Sequence, residues 1–407
     1  MADGTAIDRQ VRMSLPSQAE PPVESFSLIR GDALFRLQRA VGLIPAQGLG
    51  VVRRAVFYAL LTWLPIAVAA ALRGRALDGA LDEPLLAHFG VTVRCLVAIP
   101  LLILAEGVVH GMMVRLLPQF VRAGLVSDPA AFRRVLEGFA RLRDRTLPWV
   151  VIGGLVFAWT LLAPQVHEPH ELLWAVETPA APSFGFGGWW YLYVARPVYV
   201  TLVLAWAWRL ALLFLLLKRI AGLDLSLVPT HPDRRAGLGF LAPLPGAFAP
   251  VVLALSAVLA AGWAHDVVYH DVAVGSLKAE ALAFVVVLAV LVLAPLAVFM
   301  PLLARTKKRA LLDYAALVGE HGRAVHARWI ERRPVSAERE ALLSASELGP
   351  VADTQGLYQA VAQMQTLPVD RKSVLAVVAP AVVPMIVVAA LKIPLKTLLL
   401  SILKALA

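Results

Sequence analysis

Apolar and polar residues alternate along this chain in long blocks. Seven apolar blocks approach or reach the roughly 20 residues that carry a helix across a bilayer. They fall near 56–72, 91–109, 147–164, 194–217, 248–264, 281–303 and 374–391. None shows the period-two alternation of a transmembrane strand. The pattern predicts an all-α fold, a polytopic transmembrane helical bundle of about seven spans.

The polar blocks predict the rest of the organisation. Residues 1–30 are polar and proline-containing and are expected to be a disordered N-terminus. They hold no signal-peptide core, so the first span is expected to act as the insertion signal. Leu34, Leu37, Val41 and Ile44 recur at helical spacing opposite Arg36, Gln38 and Arg39. This predicts a short amphipathic helix ending at Pro45, lying on the membrane surface or packed on the bundle. The transmembrane region covers 31–304, and 305–372 is a helical cytoplasmic insertion before the last span. In that insertion Leu311, Tyr314, Val318, His321 and Val325 follow a three-four spacing, a seam for another helix. Ser344-Ala345-Ser346-Glu347 reads as a capping box opening a further helix. Residues 373–407 form a last span or a hairpin, with Pro380 and Pro384, and an amphipathic tail.

Composition agrees with a membrane protein: 59% of the 407 residues are hydrophobic and 16% charged, where soluble domains run near a quarter charged. The net charge of +10 is segregated by loop. The N-terminal segment holds seven Lys and Arg, and the successive loops hold two, seven, none, four, one and eleven, with three in the tail. By the positive-inside rule the N-terminus and the loops around Arg133, Arg234 and Lys308 are cytoplasmic. The aromatic, uncharged stretch 182–193 marks the opposite interface. The expected partners are the lipid bilayer and a second copy or a cytoplasmic protein, and not nucleic acid. A single cysteine, Cys95, leaves no intrachain disulfide and no cysteine metal site. No cofactor motif is present, and a non-enzymatic role is expected.

Four sets of residues carry candidate chemistry. Glu106 and His110 share one face of the second span, and Arg209 of the fourth span falls at a similar depth. Ionisable groups inside spans are costly, so these three are ion-path candidates, a structural ion pair being the plain alternative. The central hinge, 218–240, contains His231, Asp233, Arg234, Gly237 and Gly239. It reads either as a docked structural loop or as a cradle for an anion. His167, His170, His265 and His270, with neighbouring carboxylates on the outer side, form a candidate metal set or are ordinary loop residues. Pro65, Pro100, Pro197, Pro295 and Pro301 are expected to bend or unwind their spans, and Gly153-Gly154 to admit close helix packing.

The hinge, the run Leu101-Leu102-Ile103-Leu104-Ala105-Glu106, the run Arg141-Leu142-Arg143-Asp144 and the pattern from Ser344 through Val369 resemble a family of uncharacterised bacterial polytopic inner-membrane proteins. The resemblance extends over nearly all of the chain beyond its start. It implies a multi-pass protein of the bacterial inner membrane and brings no activity, ligand or catalytic residue. Arg235 and Ala236 stand where similar proteins tend to have Ala and Gly. The expected function is a channel or transporter for an ion or small solute. The alternative is a membrane-anchored signalling or scaffold protein acting through 305–372.

Overall fold

The computed structural model describes residues 26–45, 47–76, 84–166, 174–178, 181–344 and 351–392. The fold is an all-α bundle. Six helical stretches among the described residues are long and apolar enough to cross a membrane: Val51–Leu72 (α2), Phe89–Arg122 (α3), Phe186–Ala221 (α6), Leu238–Tyr269, Lys278–Ala297 (α8) and Arg371–Leu391. The fourth of these opens with two 3-10 turns before its α-helix, Ala249–Tyr269 (α7). The α-helix Leu147–Val166 (α5) spans 20 residues with no charged side chain and packs along α6. Ala33–Ala40 (α1) precedes the first span, and Pro129–Arg143 (α4) joins α3 to α5. One departure from an all-helical chain is a small antiparallel hairpin, Val176–Thr178 (β1) with Ala181–Phe184 (β2). Pro182 within β2 fits a short extended segment better than a helix.

Pro100, Pro197, Pro295 and Pro301 act where expected, whereas α2 runs unbroken through Pro65. Pro100 and Pro197 each follow a wide π-turn, Arg94–Ala98 in α3 and Tyr191–Ala195 in α6. A proline has no N–H to give the carbonyl four residues back. In both helices the amide before it reaches back five residues instead: Ile99 N–H donates to Arg94 O, and Arg196 N–H to Tyr191 O. Arg94 then rests between two aromatic faces, its Cζ 5.6 Å from the ring centres of both Tyr191 and Tyr199. The sixth apolar block does not continue as one helix. Pro295 and Pro301 bracket a break at 298–299 between α8 and Met300–Val325 (α9). Arg371–Lys392 (α12), by contrast, runs through Pro380 and Pro384 as a single helix against α7.

Three further expectations are corrected. Residues 26–30 are not a disordered start: Leu28 and Ile29 are fully buried, and Phe26 meets Phe139 of α4 with ring centres 5.5 Å apart. The apolar run is too short to register as an element, yet it fills the gap between α4 and the bundle. The first span begins at Val51, five residues before the predicted 56, which brings Arg54 inside it. Gly153 and Gly154 make no close helix contact among the described residues, none of which, their own helix aside, lies within 4 Å of where a Cβ would stand. Ser344, expected to cap the start of a helix, instead ends one, Ala337–Ser344; the rest of the capping box at 345–347, the tail beyond 392 and the start up to 25 lie outside the described residues.

The seam on α9 finds its partner within the chain. Ala337–Ser344 (α10) and Val351–Ala362 (α11) fold back on it, burying His321 and Ala324 on α9 and Val361 on α11. Val361 is fully buried at this junction, so Val361→Asp would take a charge out of water and is expected to release the 337–362 segment. Rapid amide exchange over α11, with the spans unaffected, would report it; unchanged exchange would mean that the contact does not hold the segment.

Candidate functional site

Two of the three residues named as ion-path candidates, Glu106 and Arg209, meet in the bundle, joined by two that the sequence did not single out. Glu106 of α3 is fully buried. Its Oε1 accepts from Arg209 Nη1 of α6 at 2.8 Å, and its Oε2 accepts from Arg54 Nη1 of α2 at 2.5 Å. Arg209 Nη2 in turn donates to Asp32 Oδ2 at 2.9 Å. All four side chains are at most 2% exposed. The cluster holds two cations and two anions, so it is neutral as a unit. The Arg209 guanidinium also lies over the Trp206 ring, Cζ 5.2 Å from its centre, and Trp206 Nε1 donates to Leu102 O at 2.9 Å.

Asp32 reaches this site because of how α1 begins. It is the N-cap residue: Oδ1 accepts the Phe35 N–H at 2.6 Å while Oδ2 takes Arg209. One carboxylate thus starts the helix and anchors it. The next turn of α1 docks through Gln38, whose Nε2 donates to Tyr58 Oη on α2 at 3.1 Å. His110 stands apart from the charge cluster. Ser27 Oγ accepts the Ile29 and Arg30 amides at 3.1 Å each, so its own hydrogen points to His110 Nδ1 at 3.0 Å. The imidazole therefore holds the N-terminal segment. Arg143 of α4 secures the same residue from the other side, donating through Nη1 to Ser27 O.

Burial holds the docked Asp32 carboxyl above the ordinary aspartate range, against the opposing pull of Arg209 and the Phe35 N–H. Three polar atoms of the cluster's neighbourhood, Arg54 Nε, Arg209 Nε and Gln38 Oε1, are buried with no hydrogen-bond partner among the described residues. The two Nε–H groups are free donors in a low-dielectric setting, where an acceptor would be strongly held.

The hinge residues come together around Asp233. Its Oδ1 accepts the Arg235 and Gly237 amides at 2.7 and 3.2 Å, and its Oδ2 accepts the Gly239 amide at 2.7 Å. His231 Nδ1 lies 2.8 Å from Oδ1. Burial raises this carboxyl, but the three amides and the imidazole outweigh that and hold it below the ordinary range. The loop needs left-handed backbone to aim its amides inward: Arg234, Ala236 and Gly237 have φ of 56°, 54° and 96°. Ala236 adopts that conformation although it lacks glycine's freedom, at a cost of roughly 1–2 kcal/mol. The cradle is real, and the protein's own Asp233 fills it. The hinge also fastens distant segments, since Ser226 N–H donates to Leu125 O at 2.8 Å and Gln365 N–H to Arg234 O at 2.7 Å.

The candidate metal set does not assemble among the described residues. His167 and His170 lie outside them. His265 and His270 have ring centres 5.3 Å apart, with His88 stacked on His265 at 5.1 Å. No group of three or more His, Cys, Asp or Glu side chains among the described residues is arranged to hold a metal ion. His88 was missed because it stands alone in the sequence.

Fold and site together define a multi-pass α-helical integral membrane protein with a closed charge cluster between its helices. No family model, curated protein or solved structure matches the chain.

Removing one partner from the cluster leaves an uncompensated buried charge. Glu106→Gln and Arg54→Gln should each cost about 3–5 kcal/mol. The double variant keeps the balanced Arg209–Asp32 pair and should cost clearly less than the sum, as thermal unfolding in detergent would show. Additive losses would refute the coupling. At the hinge, Asp233→Ala should cost about 2–4 kcal/mol by orphaning three amides. Because the folded pKa of Asp233 is depressed, its contribution is present above the ordinary value of about 3.9 and is lost as pH falls through the lower folded value. Amide exchange at Arg235, Gly237 and Gly239, corrected for intrinsic rates, should accelerate in that acid window in the native protein and be fast throughout in the variant.

Proposed function

We propose that the protein is a channel or transporter for an ion or small solute, and that a small anion fits its site best. The observation that carries this reading is the origin of the four charges. Arg54, Glu106 and Arg209 belong to spans, whereas Asp32 comes from an eight-residue helix at the edge of the bundle. Asp32 is the detachable member. When α1 leaves, two guanidiniums face one carboxylate, and the bundle holds a net positive site with unpaired Nε–H donors. A small anion then replaces the Asp32 carboxylate on Arg209, and α1 is the stopper that closes the site. The charge segregation of the loops supports a bacterial inner-membrane location with α1 on the cytoplasmic side. The scaffold alternative loses its docking seam on α9, because α10 and α11 cover it.

The proton linkage has a definite sign. The docked Asp32 carboxyl binds its proton more tightly than a released one. Acid therefore favours docking, and docking weakens as pH rises above the ordinary aspartate value of about 3.9 and through the docked value.

Purified protein in liposomes should pass a small anion, chloride or nitrate, more readily than sodium or potassium. Asp32→Ala removes both the helix cap and the Arg209 contact, so it should release α1 and raise flux severalfold. Arg209→Gln should abolish anion flux in a protein that still inserts and melts cooperatively. Native flux should fall on acidification toward pH 4. Absence of ion flux in both the native protein and Asp32→Ala would overturn the anion reading.

A further inference from the structure

A second feature of α1 points outward. A cleft of about 590 Å³ opens beside it, lined by Arg30, Arg36, Arg39, Gln47 and Phe35 together with Gly31 and Gly48. Three guanidiniums face this space, and no carboxylate is among its lining residues. Asp144, whose carbonyl accepts from Arg36, has its side chain engaged elsewhere: its Oδ1 accepts from Arg143 Nε at 2.7 Å. Arg36 is held in place by donating through Nη2 to the Asp144 carbonyl at 3.2 Å. Gly31 and Gly48 have φ of 101° and 84°, and at Gly31 a Cβ would lie 2.7 Å from Arg143 Nη2. The backbone turns here admit no larger residue.

The second observation concerns apolar exposure at the same place. Leu37 and Val41, one helical turn apart on α1 and its C-cap, are 62% and 65% exposed. Exposed apolar groups beside three exposed arginines are the composition of a helix resting at the membrane interface. Arginine's planar donor fork matches the paired oxygens of a phosphate.

We propose that this cleft binds a phosphate-class anion, and that binding holds α1 docked on the bundle. The source that the surroundings favour is the phosphodiester headgroup of an acidic lipid, with its acyl chains beside Leu37 and Val41. Free phosphate offers the same chemistry without the chains. Arg36 and Arg39 grip the anion from α1 itself, and Arg30 from the segment that leads into its cap. An anion bridging these arginines ties the two together and keeps Asp32 on Arg209. The binding step stands independently of any transport activity.

The test uses the full chain in a neutral detergent. Phosphatidylglycerol, phosphatidylcholine with matched acyl chains, and inorganic phosphate are titrated separately. Retained lipid is counted by native mass spectrometry, and amide exchange is followed over residues 27–40. Phosphatidylglycerol should be retained in preference to phosphatidylcholine and should slow exchange across α1. Arg36→Gln/Arg39→Gln should weaken retention roughly tenfold or more, given the ~1 kcal/mol that each basic residue contributes at an anionic surface. Arg30→Gln should weaken it less, with unfolding temperature unchanged in both variants. If inorganic phosphate alone slows the exchange, and the arginine variants abolish that effect, the site stands with free phosphate as its source. Equal retention of the two lipids with no phosphate effect, or anion binding that survives in the double variant, would overturn the proposal.

Discussion

The structure depends on keeping four charges out of water at once. Moving an ion from water into a protein interior costs several kcal/mol even after relaxation. Arg54, Glu106, Arg209 and Asp32 avoid that penalty only by meeting one another with net charge zero. The requirement fixes more than a contact list. It sets the relative depth of α2, α3 and α6, because each must bring its group to one point. It also explains why a peripheral eight-residue helix is drawn onto the bundle, and why Ser27 through Ile29 are buried beneath it. The apolar faces alone would tolerate sliding, as lipid tails are about as apolar as leucine. The charges do not.

The hinge solves a different problem with similar means. A chain that leaves one set of spans and enters the next must turn sharply while its amides find partners. Asp233 supplies those partners from within the loop. The left-handed residues around it cost conformational energy, and the three amides aimed at its carboxylate offset that cost. The consequence is a rigid loop whose outer carbonyls and amides are available to other segments. Gln365 and Val369 from the far end of the chain use them, the latter through Arg235 Nη2 at 3.3 Å. A loop that resembles an anion cradle in sequence is thus a rivet between distant parts of the fold.

Much of the architecture was legible in the sequence, and the reasons are physical. Spans declare themselves by length and apolarity, and helix register across two spans placed Glu106 opposite Arg209. The other half of the cluster was hidden for two separate reasons. Arg54 sat among flanking residues, because a hydropathy minimum ends an apolar block even where the helix continues through it. Asp32 looked like an ordinary cap, since capping uses one carboxylate oxygen and says nothing about the second. A charge argument was available: a buried Glu106–Arg209 pair flanked by Arg54 at a span entrance calls for one more anion. Likewise the hinge showed its turn residues but not their occupant, since a nest of amides looks alike whether it holds a ligand or its own aspartate. The histidines at 265 and 270 looked like a set because they were close in sequence, and only the fold brought in His88.

The double use of Asp32 has a consequence for how the edge of the bundle behaves. An isolated helix of eight residues is far too short to persist in water. The helicity of α1 therefore depends on docking, and docking depends on Asp32, whose two oxygens serve the helix start and Arg209 together. Neither half is stable without the other: loss of the Arg209 contact removes the support that keeps α1 helical, and unwinding α1 removes the geometry that presents Oδ2 to Arg209. Coupling of that kind gives two states and little between them. The docked state satisfies the carboxylate, the cap and Gln38 on Tyr58 at once, whereas the released state returns Asp32 to water and leaves Arg209 seeking another anion. Any influence that reaches α1 from its exposed basic side is transmitted to the buried cluster through that single side chain.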